Sequence, residues 1–253
     1  MTIKKPSPEG IPALKSLWRR TFGDTEAFLN SFFSAGFCAD RCLCAWDADR
    51  LLGAVYWFDC SVAEEKIAYI YALAVEENQR GRGVGSTLMT CAHDLLARQG
   101  YAGVLLVPQE AGLKRLYGRL GYREGPRLRT LTVTAAAEPI SLCRVTGEEY
   151  AVLRKQYLPA NAVAQEGENL AFLQTQASFY RGENFLLAAG KEGRSLCGLE
   201  LLGDAGAAGG ILRALDCREG HFRMPGSDTP FAMFLPLKED APQPSYFAFA
   251  FDW

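Results

Sequence analysis

The stretch Val75-Glu76-Glu77-Asn78-Gln79-Arg80-Gly81-Arg82-Gly83-Val84-Gly85-Ser86-Thr87-Leu88-Met89 decides how this chain is read. Apolar text ends at Val75, three glycines stand at alternate positions from 81 to 85, and an apolar face with helical spacing begins. Glycine tolerates positive φ and carries no side chain, so successive N–H groups can converge on one anion. The helix that follows adds unpaired first-turn amides and the positive end of its dipole. Arg80 and Arg82 bring charge to the rim. Each charge-assisted hydrogen bond contributes about 1.5–3 kcal/mol, so several together hold a pyrophosphate without a basic surface elsewhere. The dinucleotide fingerprint G-x-G-x-x-G is not met, and Ser86 stands where a P-loop carries its lysine. By itself the turn also fits a purely steric strand-to-helix corner.

Reading outward, Ser7-Pro8 marks a helix start, with Leu14, Leu17 and Trp18 on one face. Asp24 is the expected cap of a second helix bearing Phe28, Leu29, Phe32 and Phe33. Strand-like runs at 41–46, 51–60 and 66–75 are joined by short polar links, which predicts antiparallel hairpins. After the glycine turn a helix continues to about Gln99 and stops at Gly100. Val104–Val107 is a short apolar strand, 110–120 a helix, and 122–134 a last strand pair. Hairpins that give way to strand–helix–strand predict an α/β (α+β) fold with a mixed sheet. The featureless text at 135–138, followed by Pro139, reads as a linker. Beyond it, helices are expected near 147–157 and 167–180, and strands at 184–190, 195–202, 230–237 and 245–252. Gly203–Gly210 lacks arginine and reads as a flexible loop or as small-residue packing. Tyr246-Phe-Ala-Phe-Ala-Phe-Asp-Trp253 alternates like a strand with one buried face.

The chain has 253 residues and a net charge of −2, with acids and bases interspersed. No nucleic-acid or membrane partner is expected from such a balance, and no apolar window approaches membrane-spanning length. Eight cysteines are scattered without a C-x-x-C pair, and there are two histidines. No metal site is expected; the thiols read as small buried hydrophobes of a reducing cytoplasm.

Arg80-Gly81-Arg82-Gly83-Val84-Gly85 resembles the R/Q-x-x-G-x-G/A motif of the GNAT (GCN5-related N-acetyltransferase) acyltransferases, and the preceding Leu73-Ala74-Val75 suits it. The resemblance covers residues 1–135. It implies a GNAT-like, acetyl-CoA-binding catalytic domain in which the turn Arg80–Ser86 grips the pyrophosphate of acetyl-CoA. It also implies that the segment Leu73-Ala74-Val75 pairs with the pantetheine arm through the backbone groups of Leu73 and Val75. Residues 139–253 then read as a second, smaller, degenerate GNAT-like α/β domain.

Downstream, Leu116-Tyr117-Gly-Arg-Leu120-Gly121-Tyr122 is similar to the family's (F/L)-Y-x-x-x-G-F/Y segment, which implies that Tyr117 protonates the departing thiolate. A phenol with a pKa near 10 is an adequate donor. Tyr117 also shares a helical stripe with Leu113, Leu116 and Leu120, as a core residue would. Glu110 departs from the family, which commonly has asparagine seven residues before this tyrosine. No acid lies on the strand before the turn; Asp59 could act through water but reads rather as a strand-end turn cap, His93 reads as a boundary residue, and an already neutral amine needs no base. Aromatic residues at Trp57, Tyr69 and Tyr71 are possible lining of an acceptor pocket. The implied activity is acetyl transfer to a small-molecule or peptide amine. The alternative is a non-catalytic acyl-CoA-binding or sensor protein.

Overall fold

The computed structural model describes residues 1–248 and falls into two compact units. The first comprises Met1–Arg123 and Met233–Pro242, the second Glu124–Ala232 and, of the described residues, 243–248.

The first unit contains β1 (Thr2–Lys4), α1 (Ile11–Phe22), α2 (Glu26–Ser31), β2 (Cys42–Asp47), β3 (Arg50–Val62), β4 (Glu65–Val75), α3 (Val84–Arg98), β5 (Gly103–Leu106) and α4 (Ala111–Arg119). Its sheet runs β1-β2-β3-β4-β5 and then the strand Met233–Pro236. Among these strands β4 and β5 are the parallel pair, joined by the crossover helix α3. The apolar stripe of α3, from Val84 through Leu88, Met89 and Ala92 to Leu96, packs on one face of the sheet with Val55, Trp57, Ala68 and Ile70. Leu14, Leu17 and Trp18 of α1 and Leu29 of α2 are buried. Thr25, not Asp24, caps α2: its hydroxyl accepts from the Phe28 amide at 3.2 Å. Asp24 instead accepts the Trp18 indole N–H at 2.8 Å. Two adjacent capping residues offer themselves in the sequence, and the buried indole takes the first.

The second unit has a sheet ordered 229–230, 127–134, 219–225, 195–203, 185–192, 178–181 and 143–145. Ser195–Gly203 and Glu219–Pro225 are parallel and are joined by the helix Ala208–Ala214. Gly147–Tyr157 and Gly167–Gln176 are its other helices. The expected helix at 167–180 ends early because the aromatic pair Phe179-Tyr180 enters the strand Ser178–Arg181. Gly203–Gly210 is no loop: it leads through a short turn into helix Ala208–Ala214. There a Cβ on Gly210 would lie 2.4 Å from Ile140. The stretch 135–138 is not a free linker either, since Ala136 N–H donates to the Gly209 carbonyl at 2.9 Å. Of the strand expected at 245–252, Tyr246 makes only an isolated bridge to Ala162, and residues 249–253 lie outside the described residues.

The largest departure concerns strand ownership. Arg127–Thr134, read as the close of the first domain, pairs with Glu219–Pro225 in the second sheet. The place beside β5 is taken by Met233–Pro236. The boundary after residue 135 therefore does not match the units, and 233–242 leaves the second domain for the first. Strand-forming pattern was evident in both segments, but pattern does not name a partner. Fit does: a Cβ on Gly103 would stand 2.2 Å from the Phe234 ring, so the bare backbone of β5 makes room for that ring.

All eight thiols are free; Cys42, Cys44, Cys60 and Cys217 are buried, whereas Cys143 is exposed. Among the described residues no cluster of His, Cys, Asp or Glu is arranged to hold a metal, and no helix is long and apolar enough to cross a membrane.

Candidate active site

β4 is paired with β3 from Glu65 to Val75, but with β5 only from Ile67 to Ile70. Past that point the two parallel strands part. A β-bulge falls at the parting: Tyr56 opposes Ala72 and Trp57 opposes Ile70, which leaves Tyr71 as the extra residue. Bulges re-aim side chains and recur beside functional sites. The Glu76 amide donates to Leu52 on the β3 side. By strand alternation the backbone groups of Val75 and Leu73 then point to the open edge. Arg80 reaches back to that edge, its Nε 3.3 Å from the Val75 carbonyl, so a ligand amide pairing there has to displace the guanidinium.

The turn beyond β4 forms a cup. Gly81 and Gly83 have φ of 74° and 83°, the left-handed region that an L side chain enters only with strain. Gly83 is the N-cap of α3 and supplies no side-chain cap, and the first turn of α3 carries no acid. Among the described residues the amides of Gly81, Gly83, Val84, Gly85 and Ser86 take no hydrogen-bond partner. α2 is capped by Thr25 and the helix Gly147–Tyr157 by a reciprocal Thr146–Glu149 pair, whereas α1, α4 and the helix Gly167–Gln176 share with α3 the lack of a side-chain cap. Gly85 separates the steric account from the ligand account. A Cβ there would make only ordinary contacts, 3.5 Å to Val75 and 3.6 Å to Leu73, so the fold does not require glycine.

Tyr117 is 7% exposed and packs in the core with Leu88, Met89 and Ala92. Its ring lies 5.8 Å from that of Tyr122 in an edge arrangement. His93 Nε2 and the Tyr122 hydroxyl are 2.9 Å apart. Burial lowers the His93 pKa from its usual 6.5 to about 4, the nearby Asp94 opposing the shift. His93 is therefore neutral at pH 7. Between those two values the unfolded chain binds a proton that the folded chain refuses, so stability present above pH 6.5 is lost as pH falls toward 4. The loss amounts to roughly 3 kcal/mol at most. Urea unfolding at pH 7.5 and 4.5 is expected to show a smaller acid loss for His93→Gln than for the parent chain.

Asp59 is not a turn cap. It accepts from Tyr101 at 2.5 Å and pairs with Arg41 at 3.2 Å and Lys66 at 3.0 Å. It also sits opposite Ala68, five residues before Leu73, or about 16 Å along the strand. The suggested aromatic lining divides as well. Trp57 belongs to the core on the α3 side, whereas Tyr69 and Tyr71 join a ring cluster with Trp18, Phe32 and Phe58. The part played by α2 and the turn after it was missed in the sequence; the run of phenylalanines at 28, 32, 33 and 37 was the available signal.

A profile for the "Acetyltransferase (GNAT) domain" matches residues 2–125. The uncharacterized N-acetyltransferase YhbS of Escherichia coli K12 is 30% identical over 126 residues, covering 48% of this chain and 73% of YhbS. The chain belongs to the GNAT family. The L-2,4-diaminobutyric acid acetyltransferase of Halalkalibacterium halodurans is 24% identical over 122 residues, covering 47% of this chain and 64% of that protein. The crystal structure of a GCN5-related N-acetyltransferase from Kribbella flavida superimposes with a TM-score of 0.72 at 16% identity. It covers 95% of this chain and 73% of that one, a likeness of fold. Mixed-sheet GNAT architecture is thus the fold of this chain.

The second unit also joins two parallel strands through a helix, but the turn before that helix differs. Asp204 Oδ1 accepts the Gly206 amide at 2.8 Å. The carboxylate sits on an amide of that turn, where the first unit leaves its amides open.

Proposed function

We propose that this GNAT chain transfers the acetyl group of acetyl-CoA to a primary amine of a small molecule or peptide, by direct attack and without an acyl-enzyme. The open cup carries the proposal: five amides, an uncapped helix N-terminus and Arg80 and Arg82 at its rim suit a diphosphate. In this reading Arg80, Gly81, Arg82, Gly83, Val84, Gly85 and Ser86 surround the diphosphate, and Leu73, Ala74 and Val75 offer an edge to the pantetheine amides. The amine nitrogen attacks the thioester carbon, a C–N bond forms and the C–S bond breaks. The nitrogen loses its proton to water, and the sulfur leaves as thiol with a proton from Tyr117. Tyr117 is then reprotonated from solvent. The strand before the cup carries no acid from Lys66 to Val75, so the amine enters neutral and positioning supplies the rate. The second unit reads as a degenerate copy, and the reducing cytoplasm as the place of action, in keeping with the free thiols.

Calorimetry with coenzyme A and turnover on an amine panel test this function. Micromolar binding is expected; no binding at millimolar ligand removes it. Tyr117→Phe is expected to lower kcat at least tenfold while the KM for acetyl-CoA stays within twofold. An unchanged kcat takes the acid role from Tyr117.

A further inference from the structure

Two backbone irregularities of the first unit face one another. The segment Phe32–Gly36, after α2, is a π-turn closed by the Phe37 amide on the Phe32 carbonyl at 2.8 Å. Opposite it is the β-bulge at Tyr71. Phe32 and Tyr71 rings stand 5.5 Å apart, both within 6 Å of Trp18. Trp18 and Phe32 are buried, whereas Phe33, Phe37 and Tyr71 are half-buried and keep ring surface toward solvent. π-turns and bulges both recur at functional sites; here Phe33 lies in the π-turn, Phe37 follows it, and the bulge carries Tyr71.

Of the carboxylates around this wall, Glu26, Glu76 and Asp59 pair with cations, whereas Asp24 meets the neutral indole of Trp18. Asp24 accepts from Trp18, Glu26 pairs with Arg19 at 3.8 Å, and Glu76 pairs with Arg20. Asp59 serves Arg41, Lys66 and Tyr101. Lys15 Nζ lies 5.4 Å from the Phe33 ring centre and adds a positive charge at the rim. We infer that the acceptor is a monoamine bearing an aromatic ring, an arylalkylamine, with its ring against Phe33, Phe37 and Tyr71 and its nitrogen toward the parted strands. The inference rests on the acetyl-transfer reading of the same site. The reaction balances as before: the amine nitrogen gains the acetyl group and loses a proton, and coenzyme A leaves as the thiol.

The test uses the full chain with saturating acetyl-CoA and four acceptors: 2-phenylethylamine, ethylamine, spermidine and an unblocked tripeptide. The expected kcat/KM for 2-phenylethylamine is at least tenfold above that of each of the others. Phe33→Ala and Phe37→Ala each raise its KM five- to tenfold and leave the KM for acetyl-CoA unchanged. In a second readout, 2-phenylethylamine raises the melting temperature of the coenzyme A-bound chain, spermidine does not, and Phe33→Ala abolishes the rise. If coenzyme A binds but spermidine, ethylamine or the tripeptide matches or exceeds 2-phenylethylamine, the inference is overturned while the acetyl-transfer reading stands. If coenzyme A fails to bind, both fall.

Discussion

Gly85→Asp is expected to abolish measurable coenzyme A binding while leaving the melting temperature equal to or slightly above that of the parent chain. The two halves of the result have separate causes. A Cβ at this position meets nothing closer than 3.5 Å, and an acid in the first turn of α3 favours the helix through its dipole by about 0.3–1 kcal/mol. The same carboxylate places a negative charge among the amides from Gly81 to Ser86. Losing two charge-assisted hydrogen bonds to a diphosphate costs about 3–6 kcal/mol, or roughly two to four orders of magnitude in Kd. Titration calorimetry and a thermal melt on one preparation read both. Undiminished affinity would move the diphosphate elsewhere; a large fall in melting temperature would return the glycine to a steric role.

Glu200→Ala carries the largest expected effect on stability. Glu200 is fully buried and receives a forked pair of hydrogen bonds from Arg154, Nε to Oε2 at 2.7 Å and Nη2 to Oε1 at 2.9 Å. Tyr150 adds its hydroxyl at 2.8 Å, and Arg154 Nη1 donates to the Val163 carbonyl at 3.1 Å. Burial opposes the charge on Arg154, but the facing carboxylate raises its pKa and holds it protonated. Removing the carboxylate leaves a guanidinium only 3% exposed without its counter-charge. Breaking a buried pair in this way costs about 3–5 kcal/mol, on the order of a 10 °C fall in melting temperature. Arg154→Met combined with Glu200→Leu is expected to recover most of the loss, since neither charge is then stranded. Chemical denaturation gives the comparison; a loss below 1 kcal/mol for Glu200→Ala would mean that water reaches the arginine.

Much of the first unit was legible because its signals are local. Alternation in 41–75 gives strands, the spacing Leu88, Ala92, Leu96 gives a helix face, and Gly81 and Gly83 announce left-handed backbone. The cup was legible for the same reason. What escaped depends on partners far along the chain. Nothing near Arg127–Thr134 says that it pairs with Glu219–Pro225, and nothing near Gly103 says that Phe234 covers it. Helix Ala208–Ala214 was hidden by Gly209 and Gly210, poor helix formers that are needed for the close passage of Ala136 and Ile140. Asp59 illustrates the limit for sites: a strand-end aspartate reads as a cap, and only tertiary structure brings Arg41, Lys66 and Tyr101 around it.

The late arrival of Met233–Pro236 at β5 has a consequence for how this protein is made. While a ribosome builds residues 107–232, the row of amides and carbonyls along the outer side of β5 waits for a neighbour not yet synthesised. At about 5–20 residues per second that wait lasts roughly 6–25 s. During it the nascent chain presents an apolar strand to any passing extended segment. Holding factors at the exit tunnel would matter more for this enzyme than for a GNAT chain whose sheet closes in the order it is translated.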